Sequence, residues 1–217
     1  MNKIKAIIFD MDGVIVDSEP VHFEAHQKSL REFGMDLSLE EYLKFGVATG
    51  DKFLYENIAK KYPGKPISVK DIHIRKKEIY KELTKTKLEL REGILKLLSD
   101  LSAKYRLAIA SSGEKEIVMF VLEKFKIADY FEVIVTGGDI ERVKPFPDVY
   151  LKAIEKLDLQ KDECVAIEDS ETGLRAAVSA GIICIAVPCT FTESQDFTGA
   201  DVKVNLEILR ETIDLIK

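Results

Sequence analysis

Short, almost continuously apolar runs recur along the chain and alternate with segments in which apolar residues follow helical spacing. Such runs are typical of strands in a parallel sheet that helices cover on both faces. We predict strands over residues 4–10, 106–111, 131–136, 164–168 and 183–187. Residues 92–105 and 113–125 each carry one apolar stripe and predict amphipathic helices. The pattern indicates an α/β fold with a doubly wound parallel sheet, the Rossmann-like arrangement.

One stretch near the N-terminus breaks this alternation. Between residues 20 and 87 no run predicts a strand, and four segments, 22–33, 39–45, 52–61 and 69–85, follow helical spacing. Ser38 and Glu41 form a capping-box pattern at the start of the second segment. We therefore expect an inserted α-helical cap domain over residues 16–91 and an α/β core formed by residues 1–15 and 92–217. Because ligands of open α/β sheets bind at the carboxyl ends of strands, an insert after the first strand can act as a lid.

Composition narrows the classes of function. The 217 residues include 32 Lys plus Arg and 38 Asp plus Glu, a net charge of −6, and no basic cluster that would favour nucleic acid. No apolar run reaches the roughly 18 residues of a membrane span, and the N-terminus lacks a signal-peptide pattern. The three cysteines, Cys164, Cys184 and Cys189, follow no zinc-binding spacing and favour core packing. We expect a cytoplasmic monomer that binds neither nucleic acid nor membranes.

The first motif with chemical content follows the first predicted strand, where Asp10 and Asp12 precede Gly13. Strand alternation turns both acids to the same side, and the glycine permits a tight turn. Two carboxylates in one confined site repel each other and need a cation or a shared proton. The motif predicts a magnesium site in which one acid attacks and the other moves a proton. A plain loop with a helix cap is the alternative.

The second motif, Ser111, Ser112 and Gly113, ends the next strand and opens a predicted helix. A hydroxyl group together with main-chain N–H groups at a helix N-terminus forms an anion site. An ordinary serine cap of the helix is the alternative.

The third and fourth motifs follow later strands. Lys144 stands in the proline-flanked sequence KPFPD, where a stiff loop can hold its ammonium group against a transferring phosphoryl group. Glu168 and Asp169 end the apolar strand CVAI and could supply oxygen ligands to a hard cation. Because all four motifs lie at the carboxyl ends of predicted parallel strands, we expect them to converge on one edge of the sheet.

The sequences FDMDGV, ASSG, KPFPDVY and IEDSETG, in this order, resemble the haloacid dehalogenase superfamily over essentially the whole chain. The resemblance is closest to the branch of β-phosphoglucomutases, phosphoglycolate phosphatases and sugar-phosphate phosphatases. It implies a Mg²⁺-dependent phosphatase of a small phosphorylated metabolite, acting through an aspartyl phosphate. By this resemblance Asp10 is the nucleophile and Asp12 the general acid and base. The resemblance also implies that the phosphoryl group is held by Lys144, Ser111, Ser112 and Gly113. It implies that the metal is held by Asp10, Asp12, Glu168 and Asp169.

The cap is expected to select the substrate. His22 and Lys76 match positions at which the related mutases carry substrate contacts, and Arg75 and Tyr80 are further candidates. The mutases also carry an arginine for a distal phosphate where this chain has Thr49, so the sequence favours a phosphatase. A β-phosphoglucomutase-like activity remains the alternative, because Lys76 or Lys52 could supply the missing charge.

Two other classes of protein are alternatives to an enzyme. Receiver domains also phosphorylate an aspartate, but they are about half this length, lack an inserted cap and carry the acceptor after a later strand. A catalytically idle binding protein is the other possibility. The presence of both Asp10 and Asp12 argues against it, because the second acid serves proton transfer.

Overall fold

The strands of this computed structural model, which describes residues 4–47, 50–64 and 68–215, are short and largely buried. They are β1 (Ala6–Phe9), β2 (Val16–Asp17), β3 (Glu89–Leu90), β4 (Arg106–Ala110), β5 (Val133–Val135), β6 (Cys164–Glu168), β7 (Ile183–Ala186) and β8 (Val202–Lys203). Within the described ranges, six of them form one sheet in the order β5-β4-β1-β6-β7-β8, and β2 pairs with β3.

The helices fall into two groups along the chain. Those before residue 90 are α1 (Glu19–Glu32), α2 (Leu39–Phe45), α3 (Asp51–Ala59) and α4 (Val69–Lys87). Those after it are α5 (Ile94–Ser102), α6 (Lys115–Lys124), α7 (Asp148–Leu157), α8 (Glu171–Ala180) and α9 (Leu209–Leu215). Over the residues that the structure describes, no helix combines the length and apolar character that crossing a membrane requires.

All pairings in the six-stranded sheet are parallel, and β1 lies at its centre. Phe9, the last residue of β1, pairs with Ile109 on β4 and with Ile167 on β6. The chain builds one half of the sheet outward from β1 through β4 and β5, then returns to build the other half from β6. Because the direction of building reverses between β1 and β6, the carboxyl ends of these strands flank the crevice where such sheets bind ligands.

The predicted doubly wound sheet is confirmed, with differences at the ends of its elements. The five predicted strands are all present, although β1, β4, β5 and β7 are shorter than the apolar runs that predicted them. The helix predicted from residue 113 begins at Lys115, so that the Ser-Ser-Gly segment precedes it as a loop. Strand β8 was missed, because two residues at a sheet edge give no detectable alternation.

The chain divides into two compact units, one formed by Met1–Val16 with Leu90–Lys217 and the other by Asp17–Glu89. The second unit is helical. Its most extensive helix packing is between α1 and α4, and α3 also packs on α4. Ser38 caps α2 through the predicted capping box: its hydroxyl accepts from the Glu41 N–H at 3.2 Å, and the Glu41 carboxylate accepts from the Ser38 N–H at 2.9 Å.

A polar cluster surrounds Asp51 in the helical unit, with His26 and Lys76 buried and the His73 side chain 44% exposed. His26, only 3% exposed, lies 2.9 Å from the Tyr55 hydroxyl through Nδ1 and 3.6 Å from Asp51 Oδ1 through Nε2. His73 Nδ1 lies 2.6 Å from Asp51 Oδ2, and Lys76 Nζ lies 3.5 Å from Asp51 Oδ1. Burial lowers the pKa of His26 well below its ordinary value, and the charge of Lys76 adds to this shift. His26 is therefore neutral in the folded protein at neutral pH.

The neutral state of His26 predicts a loss of stability in acid. Below about pH 6.5 the unfolded chain binds a proton at this residue that the folded chain does not, so the free energy of unfolding falls with pH by up to about 1.4 kcal/mol per unit. The loss continues until the pH reaches the lowered pKa of the folded state. We expect His26→Gln, which does not titrate, to show a shallower decline between pH 7 and pH 5 in urea unfolding. Parallel curves for the two proteins would contradict this assignment.

Candidate active site

The loop after β1 brings Asp10 to the edge of the sheet. The Asp10 N–H still donates to the carbonyl of Ile167 at 2.9 Å, so its backbone continues the ladder between β1 and β6. The chain then turns sharply, and Gly13 adopts a φ of +72°, which a side chain would disfavour. Asp12 lies in this turn, with its backbone paired to Val16. The Asp10 side chain is thereby fixed by main-chain hydrogen bonds on a rigid strand end.

Lys144 forms ion pairs with two of the acids, Asp10 and Glu168. Its Nζ donates to Asp10 Oδ1 at 2.6 Å and to Glu168 Oε1 at 2.7 Å, and its side chain is only 7% exposed. The backbone N–H of Lys144 donates to the Ser112 hydroxyl at 3.2 Å, which ties its loop to the end of β4. Burial alone would lower the pKa of this ammonium, but Asp10 and Glu168 outweigh burial and raise it. Lys144 is therefore a charged cation with a buried side chain.

Glu168 ends β6 and is completely buried. Its Oε1 accepts from Lys144 and also from the Tyr150 hydroxyl on α7. Its Oε2 is buried and has no hydrogen-bond partner among the described residues. Burial raises the pKa of Glu168, and the Lys144 charge opposes this rise. A side chain at Gly173 would place its Cβ 1.9 Å from Oε2, so the carboxylate occupies space that only glycine leaves.

Asp169 follows on the same strand end and is 4% exposed. Its Oδ2 lies 3.4 Å from the Thr192 hydroxyl and 3.5 Å from the Cys189 sulfur. A Cβ on Gly13 would lie 2.0 Å from the same oxygen, which means that the carboxylate rests directly on the turn after β1. Gly13 of the first motif therefore leaves the space that the Asp169 carboxylate of the fourth motif occupies.

Asp10, Glu168 and Asp169 form a cluster that fits a hard divalent cation. One carboxylate oxygen from each residue lies within 4.8 Å of the others, and all three residues are buried. Carboxylate oxygens are the ligands that Mg²⁺ prefers. The buried Glu168 Oε2 is an acceptor that a metal ion would satisfy. The fit supports the predicted metal site for these residues.

The Ser-Ser-Gly segment lies at the same edge, although not as a helix terminus. Ser111 is fully buried, and its hydroxyl accepts from the Gly113 N–H at 3.0 Å. Helix α6 begins at Lys115, and its N-cap residue Glu114 makes no side-chain cap. The helix thus begins two residues later than predicted and has no serine cap, and the anion site at Ser111, Ser112 and Gly113 stays a prediction.

The predicted cap residues lie in the helical unit. The His22 ring on α1 stacks on Tyr80 with ring centroids 4.0 Å apart. Lys76 on α4 lies beside Asp51, and its Nζ is 5.5 Å from the Tyr80 ring centre. Arg75 lies on the surface of the helical unit, where its Nε pairs with Glu32 Oε2 at 2.6 Å. Thr49, on which the choice between phosphatase and mutase relied, lies outside the described residues.

Sequence reasoning missed several residues that contact the site. Tyr150 and Gly173 belong to ordinary helical patterns, so nothing local indicated that they touch Glu168. Arg91 was also missed. Its Nη1 donates to the Gly13 carbonyl at 2.5 Å, and its N–H donates to the Ile15 carbonyl at 2.9 Å. Such long-range contacts leave no periodic signal in a sequence.

The sheet carries an aspartate, a lysine and two further acids at its ligand-binding edge, an arrangement typical of α/β enzymes that bind a cation together with an anionic ligand. The family model of haloacid dehalogenase-like hydrolases matches residues 7–187. The chain belongs to this family.

Named relatives support the same assignment. Protein CbbY of Cereibacter sphaeroides is 33% identical over 207 residues, covering 91% of this chain and 90% of that protein. A crystal structure of CbbY from Rhodobacter sphaeroides in complex with phosphate superposes with a TM-score of 0.79 at 33% identity, with 93% of each chain covered. A phosphorylated carbohydrates phosphatase of Thermotoga maritima is 32% identical over 182 residues, covering 82% of each. The phosphatase relatives support the prediction of a phosphoric monoester hydrolase.

Gly173 provides a test of how the acidic cluster of Asp10, Glu168 and Asp169 is packed. Replacing a helical glycine by alanine ordinarily stabilises a protein by roughly 0.5–1 kcal/mol. Because the new Cβ would meet the Glu168 carboxylate, we expect Gly173→Ala to lose about 1–3 kcal/mol and to bind Mg²⁺ more weakly. Urea unfolding and titration calorimetry measure the two effects. Ser179→Ala, an exposed change on the same helix, is the control and should change neither quantity appreciably; a gain in stability for Gly173→Ala would contradict the packing argument.

Proposed function

We propose that the protein is a Mg²⁺-dependent phosphatase of a small phosphorylated metabolite, with a sugar phosphate as the expected substrate and an aspartyl phosphate as intermediate. The observation that carries this proposal is the contact of Asp10 with the buried cation Lys144, beside Glu168 and Asp169. A nucleophilic carboxylate must approach a negatively charged phosphate, and only a site with strong cationic compensation permits this.

The chemistry assigned to Asp10 is attack of a carboxylate oxygen on phosphorus. The P–O bond to the leaving group breaks as the Asp10 oxygen–phosphorus bond forms, and Asp12 gives a proton to the departing alkoxide. Asp12 then takes a proton from water as the water attacks phosphorus, releasing phosphate and regenerating Asp10. The local backbone supports this division of roles, because Asp10 continues the ladder between β1 and β6 whereas Asp12 lies in the turn that contains Gly13.

Lys144 and Ser111 are assigned to the phosphoryl group. Lys144 carries a permanent charge in a buried position, where its attraction for developing negative charge is strong. The buried Ser111 hydroxyl, with Ser112 and Gly113 beside it, offers donors at the same sheet edge. Mg²⁺ held by Asp10, Glu168 and Asp169, with the main-chain carbonyl of Asp12, would offset the repulsion between carboxylate and phosphate.

Relatives favour a sugar phosphate as substrate. A variant of the Rhodobacter sphaeroides CbbY was crystallised in complex with xylulose 1,5-bisphosphate, and the Thermotoga maritima relative is named for phosphorylated carbohydrates. We propose that the helical unit of this chain acts as the cap and contacts the substrate through His22 and Lys76. A cytoplasmic monomer remains the expected form of the protein.

A phosphosugar mutase is the second candidate, favoured by one structural relative. A candidate β-phosphoglucomutase of Thermotoga maritima is 26% identical, with a TM-score of 0.79 and coverage of 99% of this chain and 100% of that one. Both reactions would use the same aspartyl phosphate. They differ in whether water or a bound phosphosugar takes the phosphoryl group.

The role of Asp10 is tested by phosphate release from p-nitrophenyl phosphate and a panel of sugar phosphates with Mg²⁺. We expect Asp10→Asn to lower turnover by at least about a thousand-fold, because the amide is not a nucleophile. Asp12→Asn should lower it by about 10²–10⁴-fold, the usual contribution of general acid–base catalysis, while Mg²⁺ still binds. Chelation of the metal should abolish turnover of the unaltered protein. Near-normal rates for Asp10→Asn would refute the assignment of the nucleophile.

The choice between phosphatase and mutase is tested with β-glucose 1-phosphate in the presence of glucose 1,6-bisphosphate. A phosphatase releases inorganic phosphate, and we expect this product to exceed glucose 6-phosphate. Coupled assays for the two products, run on one reaction mixture, measure the ratio directly. Rapid formation of glucose 6-phosphate with little free phosphate would replace the phosphatase by the mutase.

A further inference from the structure

Tyr150 on α7 contacts the proposed metal ligand Glu168 without belonging to any predicted catalytic group. Its side chain is fully buried, and its hydroxyl donates to Glu168 Oε1. The aromatic ring lies next to Lys144, whose Nζ is 5.2 Å from the ring centre. Tyr150 belongs to the buried core cluster that also contains Val149 and Ala153, so a phenylalanine would keep the apolar packing of the ring. The hydroxyl is the part of Tyr150 that core packing does not explain.

The hydroxyl changes what Glu168 can do. A carboxylate is planar and rigid, so fixing one oxygen restricts the position of the other. Oε1 accepts two hydrogen bonds, from Tyr150 and from Lys144 at 2.7 Å, and Oε2 has no hydrogen-bond partner within the described ranges. Gly173 contributes by leaving space for this carboxylate. The two donors together hold one oxygen and leave the other available to a cation.

Lys144 alone could not fix Glu168 in this way. Its ammonium is shared with Asp10 at 2.6 Å, and the proposed reaction draws the same ammonium towards the phosphoryl group. The Tyr150 hydroxyl, in contrast, donates to Glu168 and is assigned no part in the reaction itself. A neutral donor also orients a carboxylate without cancelling the charge that attracts the metal.

We propose that Tyr150 is a positioning residue that holds Glu168 in the orientation required for Mg²⁺ binding. This inference rests on the proposed function, because it takes the acidic cluster as the metal site. Tyr150 acts through Glu168 and touches neither substrate nor metal. Partners of metal ligands typically contribute 10–100-fold to metal affinity, which sets the size of the expected effect.

The test is calorimetric titration of Mg²⁺ into the substrate-free protein. We expect Tyr150→Phe to raise the Mg²⁺ Kd about tenfold, while melting in excess chelator shows that the fold is retained. Turnover of Tyr150→Phe should recover at saturating Mg²⁺, because the hydroxyl is needed for metal binding and not for the chemical steps. An unchanged Kd would overturn the inference.

Tyr42→Phe is the matched control. Tyr42 is also buried, and its hydroxyl donates to a glutamate, Glu19 Oε2, at 2.6 Å, but both residues lie in the helical unit. This variant makes the same chemical change away from the acidic cluster, so it should lower stability and leave the Mg²⁺ Kd unchanged. An equal rise in Kd for both variants would assign the effect to general loosening and overturn the proposal.

A double-mutant cycle separates a positioning role from an independent one. If Tyr150 acts through Glu168, Tyr150→Phe should have no further effect on Mg²⁺ Kd in a Glu168→Gln background. Additive effects would overturn the proposal. The rise in Tm on adding Mg²⁺ gives the same comparison for a variant of reduced stability. Absence of Mg²⁺ binding by the unaltered protein would defeat the proposed function and this inference together, whereas binding that Tyr150→Phe leaves intact would defeat only the inference.

Discussion

Repulsion among the buried carboxylates of Asp10, Glu168 and Asp169 is the constraint on which the rest of the site depends. In low dielectric surroundings such a cluster is strongly destabilising unless cations compensate it. Lys144 supplies one positive charge and contacts two of the three acids. Its loop is in turn anchored to the end of β4 through Ser112. The remaining negative charge would favour a divalent cation, so the cost of assembling the acids is linked to the ligand they are proposed to bind.

The strand order places these groups together although they are far apart in sequence. Asp10 follows β1, Glu168 ends the neighbouring strand β6, and Ser111 follows β4 on the other side of β1. A parallel sheet brings every carboxyl end to one edge, so each loop can contribute one group without distorting the others. The hydrogen bond from the Asp10 N–H to Ile167 shows how closely the first and fourth motifs are joined.

The sheet and the residues of the four motifs could be predicted because each signal is local. An apolar run predicts a buried strand, and an acid, serine or lysine at its end predicts a position at the ligand edge. The start of α6 could not be predicted, since the Ser-Ser-Gly segment suits a loop as well as a helix start. Tyr150, Gly173 and Arg91 were missed because their contacts depend on the tertiary structure. The cluster of histidines around Asp51 was missed for the same reason, since the residues are spread over three helices.

Gly13 and Gly173 have a consequence for how this enzyme can evolve. The Asp169 carboxylate occupies the volume that a Cβ on Gly13 would need. The Glu168 carboxylate does the same for Gly173. Substitution at either glycine therefore displaces an acid directly, and natural variation around the cluster is confined to positions that leave both spaces open. The acidic edge of the sheet is therefore expected to change little as related sequences diverge.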